Sequence, residues 1–234
     1  MKFKVSKEFF DKVPNAYFAV VCVKGFDNNK ELDFTDKMLE EASSKVRELI
    51  GNSKVKENEL IIPYRDAFRN LGINPNKYMC SIEALMTRLS KGNEIPHINP
   101  IVDICNALSI KYILPVGVHD VDNFKGDLEI RPANSSDEFI PFGSSDIEKV
   151  DEGEMVYASL NEVKTRRWTW RQGEASKVTN NTSNIFIPID GFSDINKDKV
   201  IMLQEELIKI LDSLGYITKK GCVDKETQEF IIED

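Results

Sequence analysis

The residues best suited to recognise an anion and a nucleobase are concentrated in the segment Lys164–Lys177, which holds five basic residues and one acidic residue. Arginine offers a planar fork of donors to phosphate or carboxylate, and tryptophan offers a face on which a base stacks. If this segment begins as one strand, its side chains alternate between two faces. One face then carries Arg166, Trp168 and Trp170, and the other carries Arg167, Thr169 and Arg171. Together with Gln172, these residues predict a surface for single-stranded or terminal RNA.

The same segment has a second interpretation that needs no ligand. In it, both indoles are buried in the protein core, because tryptophan is a largely buried residue type. The arginines then form an ordinary solvated face. The two interpretations differ in where the indoles and guanidinium groups point.

A second group of polar residues lies in Asn99–Asn106. Asn99 followed by Pro100 is typical of a helix start, with the asparagine as N-cap and the proline at the first helical position. Asp103 and Asn106 are three residues apart and therefore share one face of that helix. Buried polar groups need hydrogen-bond partners, so these residues either form a structural network or contact a substrate.

His119 and Asp120 follow the segment Leu114–Val118 at a predicted strand end. Neighbouring residues of a strand point to opposite faces, which argues against a simple His–Asp dyad. A histidine at such a turn can act as a general base, or it can be structural.

Several familiar chemistries lack their motifs in this sequence. The four cysteines form no Cys-x-x-Cys pair, and only two histidines are present, so neither a disulfide framework nor a zinc site is expected. The chain has no Gly-rich phosphate loop, no Gly-x-Ser-x-Gly elbow and no His-Glu-x-x-His pair. We therefore expect no metal and no cofactor.

Composition limits the partners. The 234 residues carry 39 acidic and 31 basic side chains, a net charge of -8 that opposes general polyanion binding. A nucleic-acid partner would need a local basic patch, and we expect no DNA. No apolar run is long enough for a membrane span and no signal peptide is visible, so we expect a cytoplasmic protein without a membrane partner.

The predicted elements indicate an α+β fold. The continuously apolar run Tyr17–Lys24 predicts a strand buried on both faces. Helices are predicted from apolar spacing and from stop residues, at 35–50, 63–71, 81–91 with Ser81 as N-cap, from 100 through the apolar stripe that ends at 108, and at 200–214. Short apolar runs predict strands at 112–118, 127–131, 154–160, 164–170 and 184–189. Grouped helices followed by grouped strands favour α+β, and the lack of a linker favours a single domain over 1–234.

Five segments together resemble the B3/B4 domain of the phenylalanyl-tRNA synthetase β subunit, which also occurs in freestanding proteins of about this size. The matching segments are Arg88–Gly92, Ile95–Asn106, Leu114–Asp120, Gly126–Arg131 and Arg166–Gln172. The resemblance spans residues 10–215 and leaves 216–234 as a C-terminal extension. It implies a mixed or antiparallel sheet of unusual topology flanked by helices.

In the synthetase this domain hydrolyses tyrosine wrongly attached to the phenylalanine tRNA. The resemblance therefore implies a trans-editing hydrolase that deacylates misacylated tRNA by water attack on the ester. His119 and Asn106 would be catalytic, and the arginine and tryptophan residues of 166–172 would bind the tRNA 3′ end. Asn99 and Asp103 would hold the small amino-acid moiety. Ligation of an amino acid to tRNA is not expected, because the synthetase's other domains do not match.

One position departs from the family pattern Gly-Gln-Pro-Leu-His-Ala-Phe-Asp. This chain has Gly117 where the pattern has its pocket histidine, and His119 stands where the pattern has phenylalanine. His119 can replace the missing group only if the strand has no bulge. Two alternatives to a hydrolase follow: a non-catalytic module that binds tRNA or an amino acid, and a structural domain whose indoles are core.

Overall fold

The computed structural model describes residues 1–233 and combines helices with two β-sheets, which confirms the predicted α+β class. The helices are α1 (Lys7–Lys12), α2 (Phe34–Ile50), α3 (Ile62–Asn70), α4 (Ser81–Ser90), α5 (Pro100–Tyr112) and α6 (Lys197–Ser213). The strands are β1 (Lys2–Val5), β2 (Ala16–Val23), β3 (His119–Asp120), β4 (Leu128–Pro132), β5 (Glu138–Phe139), β6 (Glu148–Lys149), β7 (Met155–Ser159), β8 (Glu162–Arg166), β9 (Arg171–Gln172), β10 (Ile185–Phe192), β11 (Thr218–Val223) and β12 (Glu229–Ile231). Within this described part of the chain, no helix could cross a lipid bilayer.

The first sheet has four antiparallel strands in the order β11-β2-β10-β3. Every residue of β2 and β10 is buried, which explains why both strands read as continuous apolar runs. The predicted buried strand at 17–24 is therefore confirmed, in the interior of this sheet. Helix α6 packs against β2 and β10.

The second sheet is mixed, with the order β12-β1-β4-β7-β8-β5-β6, and β9 pairs with β8 beside that path. Strands β1 and β4 are parallel, as are β5 and β8, and the other pairs are antiparallel. Residues 216–231, which lie outside the predicted resemblance, supply one strand to each sheet.

The predicted helices are confirmed within one or two residues at most ends. Helix α5 begins as expected, because the Asn99 side chain accepts a hydrogen bond from the Val102 amide at 3.2 Å and Pro100 follows it. The N-cap of α4 is Cys80 rather than Ser81, so that cap prediction is wrong by one residue. Helix α2 ends where Gly51 adopts a positive φ of 50°.

The strand predicted at 112–118 is wrong. Helix α5 continues to Tyr112, and Ile113 caps it in the left-handed conformation with a φ of 56°. In 113–118 only an isolated bridge between Val116 and Ile189 has strand character. Strand β3 begins only at His119, one residue after the predicted strand would have ended. Pro115, within the predicted strand, lacks the amide proton that it would donate to a ladder.

The single strand predicted over 164–170 is also wrong, and with it the alternation of six side chains. Strand β8 ends at Arg166, and the chain turns through two consecutive left-handed residues, Arg167 with a φ of 48° and Trp168 with a φ of 58°. It then returns as β9, antiparallel to β8. Side chains in 167–170 therefore follow the turn and not the two-residue repeat of a strand.

Burial of Trp168 explains this turn. Its indole is fully buried, and its ring centroid lies 5.3–6.5 Å from the centroids of the rings that surround it. Those rings are Phe9, Phe18, Tyr64, Phe68 and Phe192. Left-handed backbone is unfavourable by roughly 1–2 kcal/mol per non-glycine residue, which is less than burial of an indole contributes.

We expect Trp168→Ala to lower the free energy of unfolding by about 3–5 kcal/mol, because it empties an enclosed aromatic cluster. Trp170→Ala is the matched control, since that indole is only partly buried, and should lower it by about 1 kcal/mol. Urea denaturation followed by circular dichroism measures both values. Equal losses in the two variants would show that the structure misplaces the two indoles.

Candidate functional site

The turn at 167–170 borders a cavity of about 80 Å³, which is large enough for several water molecules. Two walls come from different sheets. Strand β10 and the segment before β3 contribute residues from the first sheet, and β7, β8, β9 and the turn contribute residues from the second. The polar side chains among the lining residues are Ser81, His119, Tyr157, Thr165, Thr169, Arg171, Gln172 and Asp190.

Asp190 is the buried carboxylate of this cavity. Trp168 Nε1 donates to its Oδ1 at 2.6 Å, and Tyr157 Oη donates to the same oxygen at 2.9 Å. Burial raises the pKa of Asp190 to about 7, although both donors act in the opposite direction. The carboxyl group is thus poised to exchange a proton near neutral pH.

His119 lies on the same face of the first sheet as Asp190. It is paired with Phe186 across the ladder, and Phe186, Pro188 and Asp190 are two residues apart along β10. The imidazole stacks on the Tyr157 ring with centroids 5.7 Å apart. Burial, followed by the Lys164 charge, lowers the pKa of His119 to about 3, so the ring is neutral at physiological pH.

The space beside Gly117 is occupied by that imidazole. A Cβ on residue 117 would lie 3.0 Å from His119 Nε2 and 3.0 Å from Pro188 Cγ. Any larger side chain at 117 would therefore have to displace one of the two. The ring of His119 stands next to the position at which the resembling pattern carries its histidine.

Two buried polar atoms of cavity residues lack a hydrogen-bond partner among residues 1–233. They are His119 Nδ1 and Thr169 Oγ1. Buried polar atoms are normally hydrogen-bonded, and exceptions concentrate at functional sites. The strained turn that carries Thr169 and Trp168 fits the same pattern, because left-handed backbone at non-glycine residues also clusters at such sites.

Arg166 and Arg167 do not form the predicted RNA-binding surface, because both are buried and paired with acidic residues. Arg166 donates to Glu154 through Nε at 2.9 Å and through Nη2 at 2.8 Å. Arg167 Nη2 lies 3.0 Å from Asp151 and 2.9 Å from Glu154. The expectation of a solvated arginine face is wrong for Arg166 and Arg167 for the same reason.

Arg171 and Trp170 remain at the edge of the cavity. The Arg171 side chain is 40% exposed, and its closest acidic partner, Glu148, is 3.6 Å away. The Trp170 ring lies over the Arg167 guanidinium at 4.8 Å and meets the Tyr78 ring edge-on at 4.7 Å. One indole is therefore core, as the second interpretation predicts, and the other is partly open, as the first predicts.

Gln172 holds the edge of the cavity together and is not available to a ligand through its amide nitrogen. That nitrogen donates to the Val118 carbonyl at 2.8 Å and to the Ser176 carbonyl at 3.1 Å. The first bond ties β9 to the segment that precedes His119. Gln172 thus joins the two walls.

The predicted residues of α5 lie elsewhere. Asn99 caps the helix and donates to the Val178 carbonyl at 3.3 Å. Asp103 accepts from the Ile98 amide at 2.9 Å and lies 3.0 Å from His97 Nδ1. Asn106 is partly exposed. None of the three lines the cavity with His119, so the structure does not bring the two predicted groups together.

Sequence reasoning did not single out Asp190 or Tyr157. A signal for Asp190 was present, because it is the one charged residue inside the apolar run Ile185–Phe192. A charge in a strand that is buried on both faces needs partners, and is therefore a candidate functional group. Tyr157 had no such signal. In the part of the chain described by the structure, no group of three or more His, Cys, Asp or Glu side chains could hold a metal ion.

Comparisons with known proteins give one family. The family model described as "B3/4 domain" matches residues 63–231. A search of curated proteins found no match. Among solved structures, the chain is similar to an N-terminal fragment of the phenylalanyl-tRNA synthetase β subunit from Pyrococcus horikoshii, with 13% identity and a TM-score of 0.47. The alignment covers 95% of this chain and 54% of that one, so this chain spans about half of that fragment.

The raised pKa of Asp190 predicts a specific dependence of stability on pH. Between about pH 4 and pH 7 the folded chain holds a proton on Asp190 that the unfolded chain has released, so stability falls as the pH rises through this interval. Above about pH 7 this contribution is constant. The contribution of His119 to stability rises with pH between about pH 3 and pH 6.5, because folding lowers the pKa of its imidazole.

The comparison of wild type with Asp190→Asn isolates the carboxyl group. Asparagine retains an oxygen that can accept from Trp168 and Tyr157, but it does not titrate. We expect the wild type to lose stability relative to this variant from about pH 4 to about pH 7, as measured by urea denaturation at several pH values. Parallel profiles for the two proteins would contradict a raised pKa.

Proposed function

This chain belongs to the B3/4 domain family, and from that premise we propose that it hydrolyses the ester of misacylated aminoacyl-tRNA. The observation that carries the proposal is the cavity with a buried carboxyl group of pKa about 7, a neutral imidazole and a partly exposed arginine at its edge. An aminoacyl ester is already activated, so a site that orients water and stabilises negative charge can hydrolyse it without a protein nucleophile.

Asp190 is the best-matched general base in this proposal. A base is most effective when its pKa lies near the working pH, and the pKa of Asp190 is about 7. Its carboxylate would take a proton from water as the water oxygen attacks the ester carbonyl carbon. The tetrahedral intermediate would then expel the ribose oxygen, which receives the proton from Asp190. The products are the free amino acid and the tRNA 3′ hydroxyl.

His119 has a different role from the base that the sequence suggested. An imidazole with a pKa of about 3 is too weak a base to deprotonate water efficiently. As a neutral ring it can still exchange a hydrogen bond with water or with the substrate. We assign it the orientation of the attacking water. Asn106, outside the cavity, has no part in this reaction.

Arg171 and Trp170 would receive the end of the tRNA. The Arg171 guanidinium is exposed enough to meet a phosphate or the carbonyl oxygen on which charge develops. The partly open Trp170 ring offers a face to the terminal base. Arg166 and Arg167 would act indirectly, by holding the turn that carries Trp170.

A non-catalytic amino-acid-binding module is the second candidate. The same Asp190 carboxylate, with Oδ1 held by Trp168 and Tyr157, would bind an α-ammonium group as readily as it would accept a proton from water. In that case the cavity binds the amino acid and releases it unchanged.

Incubation of the purified protein with a panel of tRNAs, each charged with one of the twenty amino acids, separates the two candidates. The hydrolase predicts faster deacylation of at least one mischarged tRNA. Saturable binding with no deacylation above the uncatalysed rate for any tRNA selects the binding module. A protein that neither deacylates nor binds any of these tRNAs would contradict both candidates.

Asp190→Asn tests the base directly. We expect it to lower the rate by about 100- to 10,000-fold, because the amide cannot accept a proton from water. Asp194→Asn is the matched control, since that exposed aspartate lies outside the cavity and pairs with Asn15. The wild-type rate should rise with pH to a plateau, with a midpoint at about 7. Equal rates in the wild type and Asp190→Asn would exclude Asp190 as the base.

A further inference from the structure

A second cavity, of about 650 Å³, lies next to the one described above. The start of α4 separates the two, because Ser81 lines the first and Met79 and Glu83 line the second. Its volume falls within the range of roughly 300–1,000 Å³ that is typical of small-ligand sites. No step of the proposed hydrolysis uses this second cavity.

The walls of the second cavity are largely polar and come from helices α3 and α4, from the segment that joins them and from the segment after α2. Along α4, Glu83, Thr87 and Ser90 are spaced by four and three residues and therefore share one helical face. Helix α3 supplies Arg65, and the segment after α2 supplies Lys54 and Lys56. The cavity is thus lined by hydroxyl, ammonium and carboxylate groups.

A buried ion pair forms the floor. Arg65 Nη1 donates to Glu83 Oε1 at 2.5 Å and to the Pro75 carbonyl at 3.0 Å, and Nη2 donates to Asn76 Oδ1 at 2.6 Å. The Glu83 side chain is only 3% exposed, and its Oε2 accepts no hydrogen bond from any residue in 1–233. A buried carboxylate oxygen next to a cavity and without a donor marks a place where a ligand can donate.

The rim is positively charged, in contrast to the whole chain. Its exposed charged side chains are Lys54 and Lys56, because Arg65 and Glu83 pair on the floor, whereas the protein carries a net charge of -8. Lys54 has an exposed partner, Glu57, at 3.3 Å, which is a weak interaction in water. Lys56 forms no ion pair within the described part of the chain, and its charge acts on the Glu83 carboxyl group.

We propose that this cavity binds a nucleotide unit, with the phosphate against Lys54 and Lys56 and a ribose hydroxyl or base amino group donating to Glu83 Oε2. Positive groups at the rim favour the phosphate, and the acceptor on the floor requires a donor on the same ligand. Inorganic phosphate supplies only the first half of this pattern, and an uncharged nucleoside supplies only the second. The nucleotide is either free or part of an RNA chain.

Isothermal titration calorimetry on the full chain, with AMP as the probe, tests the proposal. We expect AMP to bind. Inorganic phosphate and adenosine should each bind more weakly by a factor of about ten or more, since each lacks one set of hydrogen bonds. A short single-stranded RNA that binds more tightly than AMP identifies RNA as the source, and equal or weaker binding identifies the free nucleotide. Absence of AMP binding at millimolar concentration would overturn the proposal.

The lysine pair provides the matched variants. Lys54→Ala with Lys56→Ala should weaken AMP binding by about tenfold or more, without a change in melting temperature, because both side chains are exposed. Lys7→Ala with Lys12→Ala removes the same charge from α1 and should leave AMP binding unchanged. Equal affinity in the wild type and the Lys54/Lys56 variant would overturn the assignment of the phosphate.

This binding does not depend on the proposed hydrolysis, because none of the probes carries an aminoacyl ester. Asp190→Asn should bind AMP as the wild type does. A wild-type protein that binds AMP but deacylates none of the charged tRNAs would refute the proposed function and support the nucleotide site. Loss of AMP binding in Asp190→Asn would instead place the nucleotide in the first cavity and overturn the second site.

Discussion

The hydrogen bond from Trp168 Nε1 to Asp190 Oδ1, 2.6 Å long and fully buried, is the interaction on which the site depends. It joins the turn of the second sheet to the central strand β10 of the first. Formation of this hydrogen bond requires two consecutive residues with left-handed backbone, Arg167 and Trp168, which strains the chain. Packing of the indole in its aromatic cluster offsets that strain. Because Trp168 turns inward, the next residues along the chain return along the cavity wall as β9.

The same geometry separates the charges that surround the cavity. Arg166 and Arg167 are paired with Glu154, a carboxylate that is itself only 4% exposed, so removal of one partner would leave a buried charge. These ion pairs hold the outer side of the turn, while Trp168 holds its inner side. What remains open to a ligand is a smaller set of groups than the sequence suggested, namely Arg171, Trp170 and the polar interior. In a protein of net charge -8, overall electrostatic attraction would contribute little to the binding of an anion at this site.

Much of the fold was predictable because it follows from local rules. Continuous apolar runs identified the buried strand β2, and Asn99 with Pro100 identified the start of α5. The turn at 167–170 was not predictable from alternation, because a contact with Asp190, more than twenty residues away, decides it. The resemblance identified the family and named His119 as a candidate, and this residue lines the cavity. It did not reveal that the arginines would be neutralised by Glu154 and Asp151, or that Asn106 would lie apart, since both depend on long-range packing.

The most direct test of this account is a carbon-13 NMR titration of the Asp190 carboxyl carbon in the wild type and in Trp168→Phe. Burial raises the pKa of Asp190 to about 7, and the indole donor lowers it, so the wild type should titrate with a midpoint near that value. Phenylalanine keeps an aromatic ring in the cluster but removes the donor, and should move the midpoint to a higher pH. A wild-type midpoint near about 4, the ordinary range of aspartate, or an unchanged midpoint in Trp168→Phe, would contradict the central role of this hydrogen bond.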